Sequence, residues 1–399
     1  MEPEQLETST MRIAFCTDIL PPVADGVTRT LSELAPALLA DGVELLFLSP
    51  MRPPPSLPWR DRVHRIPGIP FPFYPSYPMG VPLGFGTDAV LDRFAPDAIH
   101  VVTPSLLGLY GVRYGERRGI PVVASFHTNF ASLFSYYGIG SLQWLGRRLM
   151  RGFYNRCAAT LAPSRTTAAD LRAIGIRNVT LWWRGVDHHR FAPSFRSEAL
   201  RLQAGAGSAP VLLYVGRLAR EKNLDYLVAV VRELERRGTT FRLVIVGEGP
   251  MRDKLRTLLP RTHFTGHLRQ DQLAAWYASA DLFLFPSANE TFGNVVLEAF
   301  ASGLPVVAVA RGGVRELVRP GRNGFLAPPD APAVFAEITR ALLERPTLLA
   351  RLSENARATA DRYSWPDVSR RLLACYQHVL GTYAPAVERA EAVAIADGA

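Results

Sequence analysis

Two glutamates around a predicted strand-to-helix turn carry the strongest chemical signal in the sequence. A buried strand is predicted to end at Phe285, and a helix is predicted to begin near Phe292. Glu290 precedes that helix and Glu298 lies within it. The start of a helix offers unpaired N–H groups and a partial positive charge, so an anion is favoured there. Gly293 would let the backbone approach a ligand closely, because it has no Cβ.

The positions of these glutamates predict different partners. Glu298 could accept hydrogen bonds from ribose hydroxyls, as the acidic residue of a Rossmann fold does. Glu290, ahead of the helix, would instead face a sugar. Phe292, Gly293 and Asn294, at the helix start, complete the predicted donor-binding set of this segment. Either glutamate alone fits an ordinary solvated turn better, so the hypothesis depends on the combination.

A charged loop at residues 216–223 (GRLAREKN) also follows a predicted buried strand and precedes a helix. Arg217 and Lys222 could clamp a diphosphate, the guanidinium as a fork and the ammonium as a point charge. The spacing Asp-x-Asp occurs nowhere in the sequence, and a metal-bridged diphosphate usually needs such carboxylates. The sequence therefore predicts a site with no metal and no other cofactor, although such a loop is also typical of solvated surface.

Two residues of the first half are candidates for the opposite wall of the site. Gly26 lies between the first predicted strand and its helix, where backbone N–H groups could face phosphates. His127 follows another predicted strand and could reach a cleft from the strand's carboxyl end. Taken alone, each also fits a simpler interpretation, a turn glycine and a structural histidine.

Short apolar strands alternate with amphipathic helices in two successive units. The predicted strands of the first unit are residues 11–17, 43–48, 98–102, 121–126, 158–161 and 179–183. Those of the second unit are residues 211–215, 241–246, 281–285 and 305–309. This alternation predicts an α/β protein with two doubly wound parallel sheets, which bind ligands at the carboxyl ends of their strands.

Changes in composition divide the chain. Residues 193–210 are rich in Ala, Gly and Ser and are the predicted hinge between the two units. Residues 50–86 are dense in proline and aromatic side chains, which excludes a regular helix. From about Ala384 the chain is rich in Ala and Glu, and a frayed end is expected.

Bulk composition limits the class of protein. The chain has 399 residues, of which 48% are hydrophobic and 20% charged, as expected for a globular protein of two domains. Its three cysteines lie far apart, which argues against a zinc or disulfide framework and favours a reducing compartment. No signal-peptide pattern opens the sequence, and no apolar run approaches the roughly 18 residues of a membrane span. A cytoplasmic location is therefore expected.

The net charge of +9 raises nucleic acid and membrane surfaces as partners. No zinc-finger spacing, basic arm or RNP-like motif accompanies the charge, so the sequence predicts no nucleic-acid partner. Residues 141–156 (SLQWLGRRLMRGFYNR) place Leu145, Leu149 and Phe153 in one apolar stripe beside several arginines. The stripe fits either a helix buried in the core or an interfacial helix drawn to anionic lipid, with the aromatic segment 71–77 as an apolar lip.

With these residues in place, the sequence resembles the retaining GT-B glycosyltransferases of the fourth family over about residues 11–383. The resemblance rests on the glutamate pair, the charged loop, the histidine after the strand, and a closing helix that begins near Tyr363. It implies two Rossmann-like doubly wound domains that face each other across a cleft. The implied parts are an acceptor-side domain at 1–192, a nucleotide-sugar-binding domain at 193–362, a closing helix at 363–383 that packs back on the first domain, and a flexible tail at 384–399.

A closer similarity is to bacterial GDP-mannose-dependent alpha-mannosyltransferases and sulfolipid synthase-like lipid glycosyltransferases. It is carried by residues 126–130 (FHTNF), 136–140 (YYGIG), 162–165 (APSR) and 184–187 (RGVD). Two positions depart from the pattern. Asp25 precedes Gly26 where many relatives have a double glycine, and Asn129 stands where closer relatives often have aspartate.

The resemblance also implies roles for the candidate residues. Arg217 and Lys222 would hold the donor diphosphate, and Glu298 would hold the ribose. Glu290 would lie near the transferred sugar, and His127 would touch a sugar hydroxyl or the developing charge.

The implied activity is metal-independent, retaining transfer of a hexose, with mannose from GDP-mannose as the first expectation. The acceptor would be a hydroxyl of a lipid or glycolipid, met at an anionic inner membrane face. A UDP-hexose or UDP-sulfoquinovose donor is the alternative. A nucleotide-sugar epimerase that needs no acceptor has a similar architecture, and a non-catalytic lipid- or nucleic-acid-binding module would fit the basic charge alone.

Overall fold

The computed structural model describes residues 10–23, 25–71, 74–82, 86–127 and 143–396 of the chain. Within them, the strands form a seven-stranded parallel sheet, a six-stranded parallel sheet and a two-stranded antiparallel hairpin. The seven-stranded sheet defines the N-terminal domain and the six-stranded sheet defines the C-terminal domain.

The N-terminal domain alternates strands and helices along the chain. Its elements are β1 (Arg12–Cys16), α1 (Gly26–Ala40), β2 (Glu44–Ser49), β3 (Val63–Arg65), β4 (Gly68–Phe71), β5 (Tyr74–Gly80), α2 (Thr87–Phe94), β6 (Ala98–Val101), α3 (Leu106–Arg118), β7 (Val122–Ser125), α4 (Gln143–Tyr154), β8 (Ala159–Ala162), α5 (Arg165–Ala173) and β9 (Val179–Leu181).

The C-terminal domain repeats the alternation and ends in the longest helix. Its elements are α6 (Glu198–Gln203), β10 (Val211–Val215), α7 (Leu224–Arg236), β11 (Arg242–Val246), α8 (Arg252–Leu258), β12 (His263–Gly266), α9 (Gln270–Ser279), β13 (Leu282–Phe285), α10 (Asn294–Ala301), β14 (Val306–Val309), α11 (Val314–Leu317), β15 (Gly324–Ala327), α12 (Pro332–Leu343), α13 (Pro346–Ala360) and α14 (Trp365–Ala396).

Both sheets are doubly wound. The strand order is β3-β2-β1-β6-β7-β8-β9 in the N-terminal domain and β12-β11-β10-β13-β14-β15 in the C-terminal domain. In each sheet the first strand of the unit, β1 or β10, lies between the two strands at which the winding reverses. A crevice opens at the carboxyl ends of the strands at such a point, and ligands bind there in this class of fold.

The sheets form because their central strands are apolar along the whole length, as strands covered on both faces must be. β10 (VLLYV) is buried at every residue. A helix that covers a sheet on one side and faces solvent on the other needs an apolar stripe, and α7 has one. α7 buries Leu227, Val231 and Leu234 at helical spacing against the sheet. Each such leucine contributes roughly 1.5–3 kcal/mol by its burial.

The last helix, α14, leaves the C-terminal domain and packs on the N-terminal one. Tyr363, just before it, packs against the C-terminal core, whereas Val368, Leu372 and Tyr376 are buried in the N-terminal core. The indole N–H of Trp182 donates to the Val368 carbonyl at 3.0 Å. The helix therefore gives the two domains a second covalent connection.

Each strand predicted from the sequence is present, with ends shifted by a residue or two. The described residues of the proline-rich segment 50–86 contain no α-helix. They form β3, β4, β5 and a 3₁₀ turn at Arg60–Arg62, and these strands, like β15, are not predicted by the sequence pattern.

The predicted domain limits fall outside the sheets. The first sheet ends at Leu181 and the second begins at Val211, so the boundary after residue 192 and the hinge at 193–210 remain predictions within that connection. Where the sequence predicts a flexible tail from 384, the backbone continues as α14 to Ala396.

Candidate active site

Two loops of the C-terminal domain bring Lys222 and Glu290 together. The ammonium Nζ of Lys222 donates to Oε1 of Glu290 at 2.5 Å, and the Ser287 hydroxyl donates to the same oxygen at 3.0 Å. The side-chain amide of Asn223 donates to the Pro286 carbonyl at 3.1 Å, which ties the loop after β10 to the loop after β13. The two residues thus meet at the carboxyl edge of the sheet, where the sequence predicts both.

Glu298 lies on α10 and is only 3% exposed. The hydroxyl of Tyr277 donates to its Oε2 at 3.1 Å. Its Oε1 forms an ion pair with Arg29, which belongs to α1 of the other domain. Burial lowers the pKa of the Arg29 guanidinium. Neither Arg29 nor Tyr277 is identified by the sequence pattern.

The pocket around this ion pair is small. It lies between α1 and α10, and Arg29, Asn294, Glu298 and Trp365 are among its lining residues. Its volume is about 10 Å³, which leaves room for a single water. The two domains touch across this ion pair in what we call the closed arrangement, and a ribose hydroxyl could take the place of Arg29 at Glu298 only after Arg29 has moved.

The starts of α1 and α10 face each other across this contact. A Cβ added to Gly26 would lie 3.2 Å from Nδ2 of Asn294, so the two residues are neighbours. α10 begins after Gly293, which has a φ of +108° and provides no side-chain cap. At α1, the carboxylate of Asp25 already accepts two backbone N–H groups, at 3.0 and 2.8 Å. Of the two helix starts, only that of α1 has its backbone N–H groups bonded to a capping side chain. An anion would therefore bind more readily at the start of α10.

His127 lies just beyond β7, at the carboxyl edge of the N-terminal sheet. Its carbonyl accepts a hydrogen bond from the Thr291 hydroxyl at 3.0 Å. The carbonyl of Thr291 in turn accepts bonds from the hydroxyls of Ser164, at 2.8 Å, and Thr167, at 3.0 Å. The residue next to Glu290 is thus bound from two loops of the N-terminal domain, which brings the backbones of His127 and Glu290 close together.

The imidazole of His127 is neutral at physiological pH. Burial, with the nearby Arg184 guanidinium and the His100 ring as smaller contributions, holds its pKa well below the usual value. Nη2 of Arg184 lies 3.1 Å from Nδ1 of the ring. Arg184 is a further residue at this site that the search for candidates misses, although it stands in the RGVD motif at 184–187.

The structure gives less direct support for the other predicted site residues. Arg217 forms an ion pair with Glu221 within its own loop. The side chain of Phe292 is buried in the C-terminal core against Tyr363, so any contact of this residue with a donor would come from its backbone. Asn129, the motif at 136–140 and the side chains of 71–77 lie outside the described residues.

A pair of glycines supports the loop that carries Glu290. A Cβ on Gly312 would lie 2.4 Å from the Glu290 carbonyl oxygen, and one on Gly313 would lie 2.3 Å from that of Thr291. The Gly313 N–H also donates to the Glu290 carbonyl at 2.9 Å. Any larger residue would push this loop away, so the glycine pair after β14 belongs to the structure of the site.

In the part of the chain that the structure describes, no three His, Cys, Asp or Glu side chains are grouped so that they could hold a metal ion. Of the helices in the same residues, none is long and apolar enough to cross a membrane.

Comparison with known families and proteins gives consistent matches over both domains. Residues 24–190 match the family described as Glycosyltransferase Family 4, and residues 209–345 match Glycosyl transferases group 1. A GDP-mannose-dependent alpha-mannosyltransferase of Mycolicibacterium smegmatis is 38% identical over 378 residues, which are 93% of this chain and 98% of that protein. A sulfoquinovosyl transferase of Arabidopsis thaliana is 32% identical over 311 residues, 74% of this chain and 59% of that protein.

Solved structures share the fold. Sucrose-phosphate synthase from Thermosynechococcus elongatus superposes with a TM-score of 0.76 at 22% identity, covering 93% of this chain and 100% of that one. The Anabaena protein HepE, in complex with UDP-glucose, gives a TM-score of 0.75 at 21% identity, covering 92% and 100%. The architecture of two facing Rossmann-like domains is GT-B, as the sequence predicts.

Proposed function

The chain belongs to glycosyltransferase family 4, and from this premise we propose that it moves mannose from GDP-mannose, with retention, to a hydroxyl of a lipid or glycolipid. The observation that carries the proposal is the meeting of three loops. Lys222 after β10 is bonded to Glu290 after β13, and Thr291 is bonded to the carbonyl of His127 after β7. Groups suited to a sugar and to a phosphate thereby come together from both domains.

The choice of donor rests on the relatives. The mycolicibacterial relative named for its dependence on GDP-mannose aligns over nearly the whole of both chains. A second candidate is a UDP-hexose or UDP-sulfoquinovose, which the similarity to a sulfoquinovosyl transferase supports over a smaller share of that protein. The two candidates differ in base and sugar but need the same diphosphate contacts.

In the proposed reaction, the bond between the anomeric carbon and the diphosphate oxygen breaks, and the acceptor oxygen bonds to the same face of that carbon. The departing phosphate takes the proton of the acceptor hydroxyl, so the products are the glycoside and the nucleoside diphosphate. The protein acts chiefly by electrostatic stabilisation of the leaving group and of the oxocarbenium-like centre.

The candidate residues divide these tasks. Arg217 and Lys222 would hold the diphosphate, Glu298 the ribose, and Glu290 with His127 the transferred sugar. An ammonium group has three donors, so Lys222 can keep its bond to Glu290 and still donate to a phosphate oxygen. This arrangement supports neutralisation of the diphosphate by side chains, without a metal ion.

The surface of α4 supports a lipid acceptor. Trp144 and Leu149 are 64% and 63% exposed, and Leu145 is also exposed. The buried side of the helix is formed instead by Met150 and Tyr154. The interpretation of the Leu145, Leu149 and Phe153 stripe as a core-facing side is therefore wrong for its two leucines, because the helix is turned with another side to the core.

The same helix carries its charge beside these apolar groups. Arg147, Arg148 and Arg151 are exposed next to Trp144 and Leu149. An apolar surface edged by arginines fits the interface of an anionic membrane, where each basic residue near the surface contributes about 1 kcal/mol. We propose that α4 rests on such a membrane and brings the acceptor to the N-terminal side of the cleft.

The test is a donor screen followed by a transfer assay. Thermal unfolding of the purified chain is measured with GDP-mannose, UDP-glucose and UDP-sulfoquinovose, since a ligand at a hundred times its Kd adds about 2.7 kcal/mol of stability. The stabilising donor, radiolabelled in its sugar, is then incubated with lipid extract. We expect GDP-mannose to stabilise the protein and its label to enter lipid. Stabilisation by UDP sugars alone would reject the mannosyl donor, and sugar interconversion without acceptor would indicate an epimerase.

A further inference from the structure

Arg184 is a buried cation directly behind the candidate histidine. It lies just beyond β9 and is 3% exposed. Its Nη1 donates to the Trp182 carbonyl at 3.0 Å, and its guanidinium lies 4.4 Å from the centre of the Trp182 ring. Its Nη2 lies 3.1 Å from Nδ1 of His127. The partners that the described residues provide are thus a carbonyl, an indole and an imidazole, none of them a carboxylate.

A buried charge of this kind is expensive to maintain. Taking an ion out of water carries a large penalty, and a buried charge is usually paired with an opposite charge. Burial lowers the pKa of Arg184 to about 9, so the guanidinium remains charged at neutral pH. A buried, charged residue with neutral partners beside a cleft is typical of a functional site.

The chemistry of the guanidinium determines the state of the histidine. Arginine has five N–H donors and no acceptor. Nδ1 of His127 must therefore accept the hydrogen bond, and in a neutral imidazole the proton then resides on Nε2. The Arg184 charge also opposes a second proton on the ring, which would place two cations at hydrogen-bond distance.

We propose that Arg184 is a positioning residue that holds His127 in the neutral tautomer with its proton on Nε2, ready to donate to a sugar hydroxyl. The role of the histidine toward the sugar rests on the proposed function. The coupling between Arg184 and His127 does not, because it follows from their own contact. A neutral ring suits the reaction, since an imidazolium would repel the positive charge that develops at the anomeric carbon.

Among the residues that the structure describes, the other ionisable groups near His127 leave Arg184 as the permanent charge beside the ring. His100 of β6 lies between Tyr376 of α14 and Ser125 of β7. Its Nδ1 is 2.5 Å from the Tyr376 hydroxyl, and its Nε2 is 2.5 Å from the Ser125 hydroxyl. Burial, with a smaller contribution from Arg184, lowers the pKa of His100 to about 3, so that ring is neutral. From the facing domain, the carboxylate of Glu290 is already bonded to an ammonium group.

The first test uses NMR spectroscopy to locate the proton on the His127 ring. The full chain is labelled with ¹⁵N in its histidine rings, and long-range ¹H–¹⁵N spectra are recorded from pH 5 to 8, with His127→Gln to assign the signal. We expect His127 to remain neutral with the proton on Nε2 throughout. In Arg184→Met, the pKa of His127 should rise toward its ordinary value, because the neighbouring charge is lost while burial still opposes protonation. A wild-type ring that carries its proton on Nδ1, or that titrates normally, would overturn the proposal.

The second test uses catalysis and a matched control. In Arg184→Met, an acid limb should enter the measured range, with kcat falling about tenfold for each pH unit below the raised pKa of His127. Arg184→Lys, which still donates to Nδ1, should keep most of the flat profile. The control is Arg172→Met, because Arg172 donates to a carbonyl of β9, at 2.9 Å, away from the site. A purely structural Arg184 would lower stability in Arg184→Met without creating this acid limb.

The two readouts separate the coupling from the proposed function. If the spectra behave as expected but His127→Gln keeps full kcat, the coupling stands and the role of His127 toward the sugar fails. Should Arg184→Met not fold, the wild-type and Arg184→Lys spectra still decide, because both require the proton on Nε2.

Discussion

Glu316 is the residue whose replacement should open the two domains. It lies on α11 of the C-terminal domain, but its carboxylate caps the start of α5 in the N-terminal domain. The backbone N–H groups of Arg165 and Thr166 donate to its two oxygens at 2.9 and 2.5 Å, and the Thr166 hydroxyl adds a bond at 2.7 Å. We predict that Glu316→Ala shifts the molecule from the closed arrangement to a more open one.

The size of the shift follows from these contacts. A side-chain cap contributes about 0.5–2 kcal/mol, and a carboxylate at a helix start adds about 0.3–1 kcal/mol through the helix dipole. Glu316→Ala removes both contributions and should weaken the closed form by about 1–3 kcal/mol, which changes the ratio of closed to open form by about 5- to 150-fold. Glu316→Gln keeps an acceptor oxygen but loses the charge, so its effect should be smaller.

The assay is small-angle X-ray scattering, with and without a nucleotide-sugar donor, alongside measurement of kcat. The control is Glu344→Ala, because Glu344 pairs with Arg340 at 2.6 Å within its own domain. We expect a larger radius of gyration and a lower kcat in Glu316→Ala than in the control, with partial recovery of the radius on addition of donor. A scattering curve and kcat equal to those of the wild type would refute the role assigned to this carboxylate.

The remaining predictions test the assigned roles. Turnover should survive EDTA, because we propose that side-chain cations take the place of a metal at the diphosphate. Activity abolished by EDTA and restored by magnesium or manganese would contradict this. Lys222→Ala should raise the donor Kd by about 10- to 150-fold, because it removes a charge-assisted contact of about 1.5–3 kcal/mol. An unchanged Kd, measured by calorimetry, would show that Lys222 does not contact the donor. Glu290→Ala should lower mainly kcat, whereas Glu298→Ala should also weaken nucleotide binding, because ribose is held in ground and transition states alike; full activity in both folded variants would reject the site. In vesicle sedimentation the protein should bind anionic but not neutral liposomes, and it should dissociate from them in high salt. Binding should weaken when the three arginines of α4 are replaced by glutamine. Equal binding to neutral vesicles, or no binding to either kind, would favour a soluble acceptor.

The part of the site that could be predicted from the sequence is the part that single strands determine. Lys222, Glu290 and His127 each follow a strongly apolar run, and parallel strands carry the residues after them to one edge of the sheet. The meeting of Lys222 and Glu290 therefore needs only the pattern of strands and helices, and the same pattern places His127 at the carboxyl edge of the other sheet. The start of α10 at Asn294, slightly later than the sequence pattern predicts, follows from the left-handed backbone at Gly293.

What could not be predicted depends on how the domains sit against each other. Arg29, Thr291 and Glu316 find their partners in the opposite domain, and hydrophobic periodicity carries no information on the rotation between two separately folded sheets. Arg184 could not be identified from the sequence for another reason. A lone arginine after a strand is usually solvated, and only its burial beside His127 distinguishes it.

The contacts that join the domains involve the same groups as the predicted chemistry. Glu298 is bonded to Arg29, and Thr291, next to Glu290, is bonded to the carbonyl of His127. If Glu298 holds the ribose, as we propose, the donor would enter a more open arrangement, in which its ribose takes the place of Arg29. Closure would then restore the contact to His127 around the sugar and exclude water, the competing nucleophile. Under this proposal the reactive site would be complete only while the domains are closed, which would limit hydrolysis of a donor that is bound while they are apart.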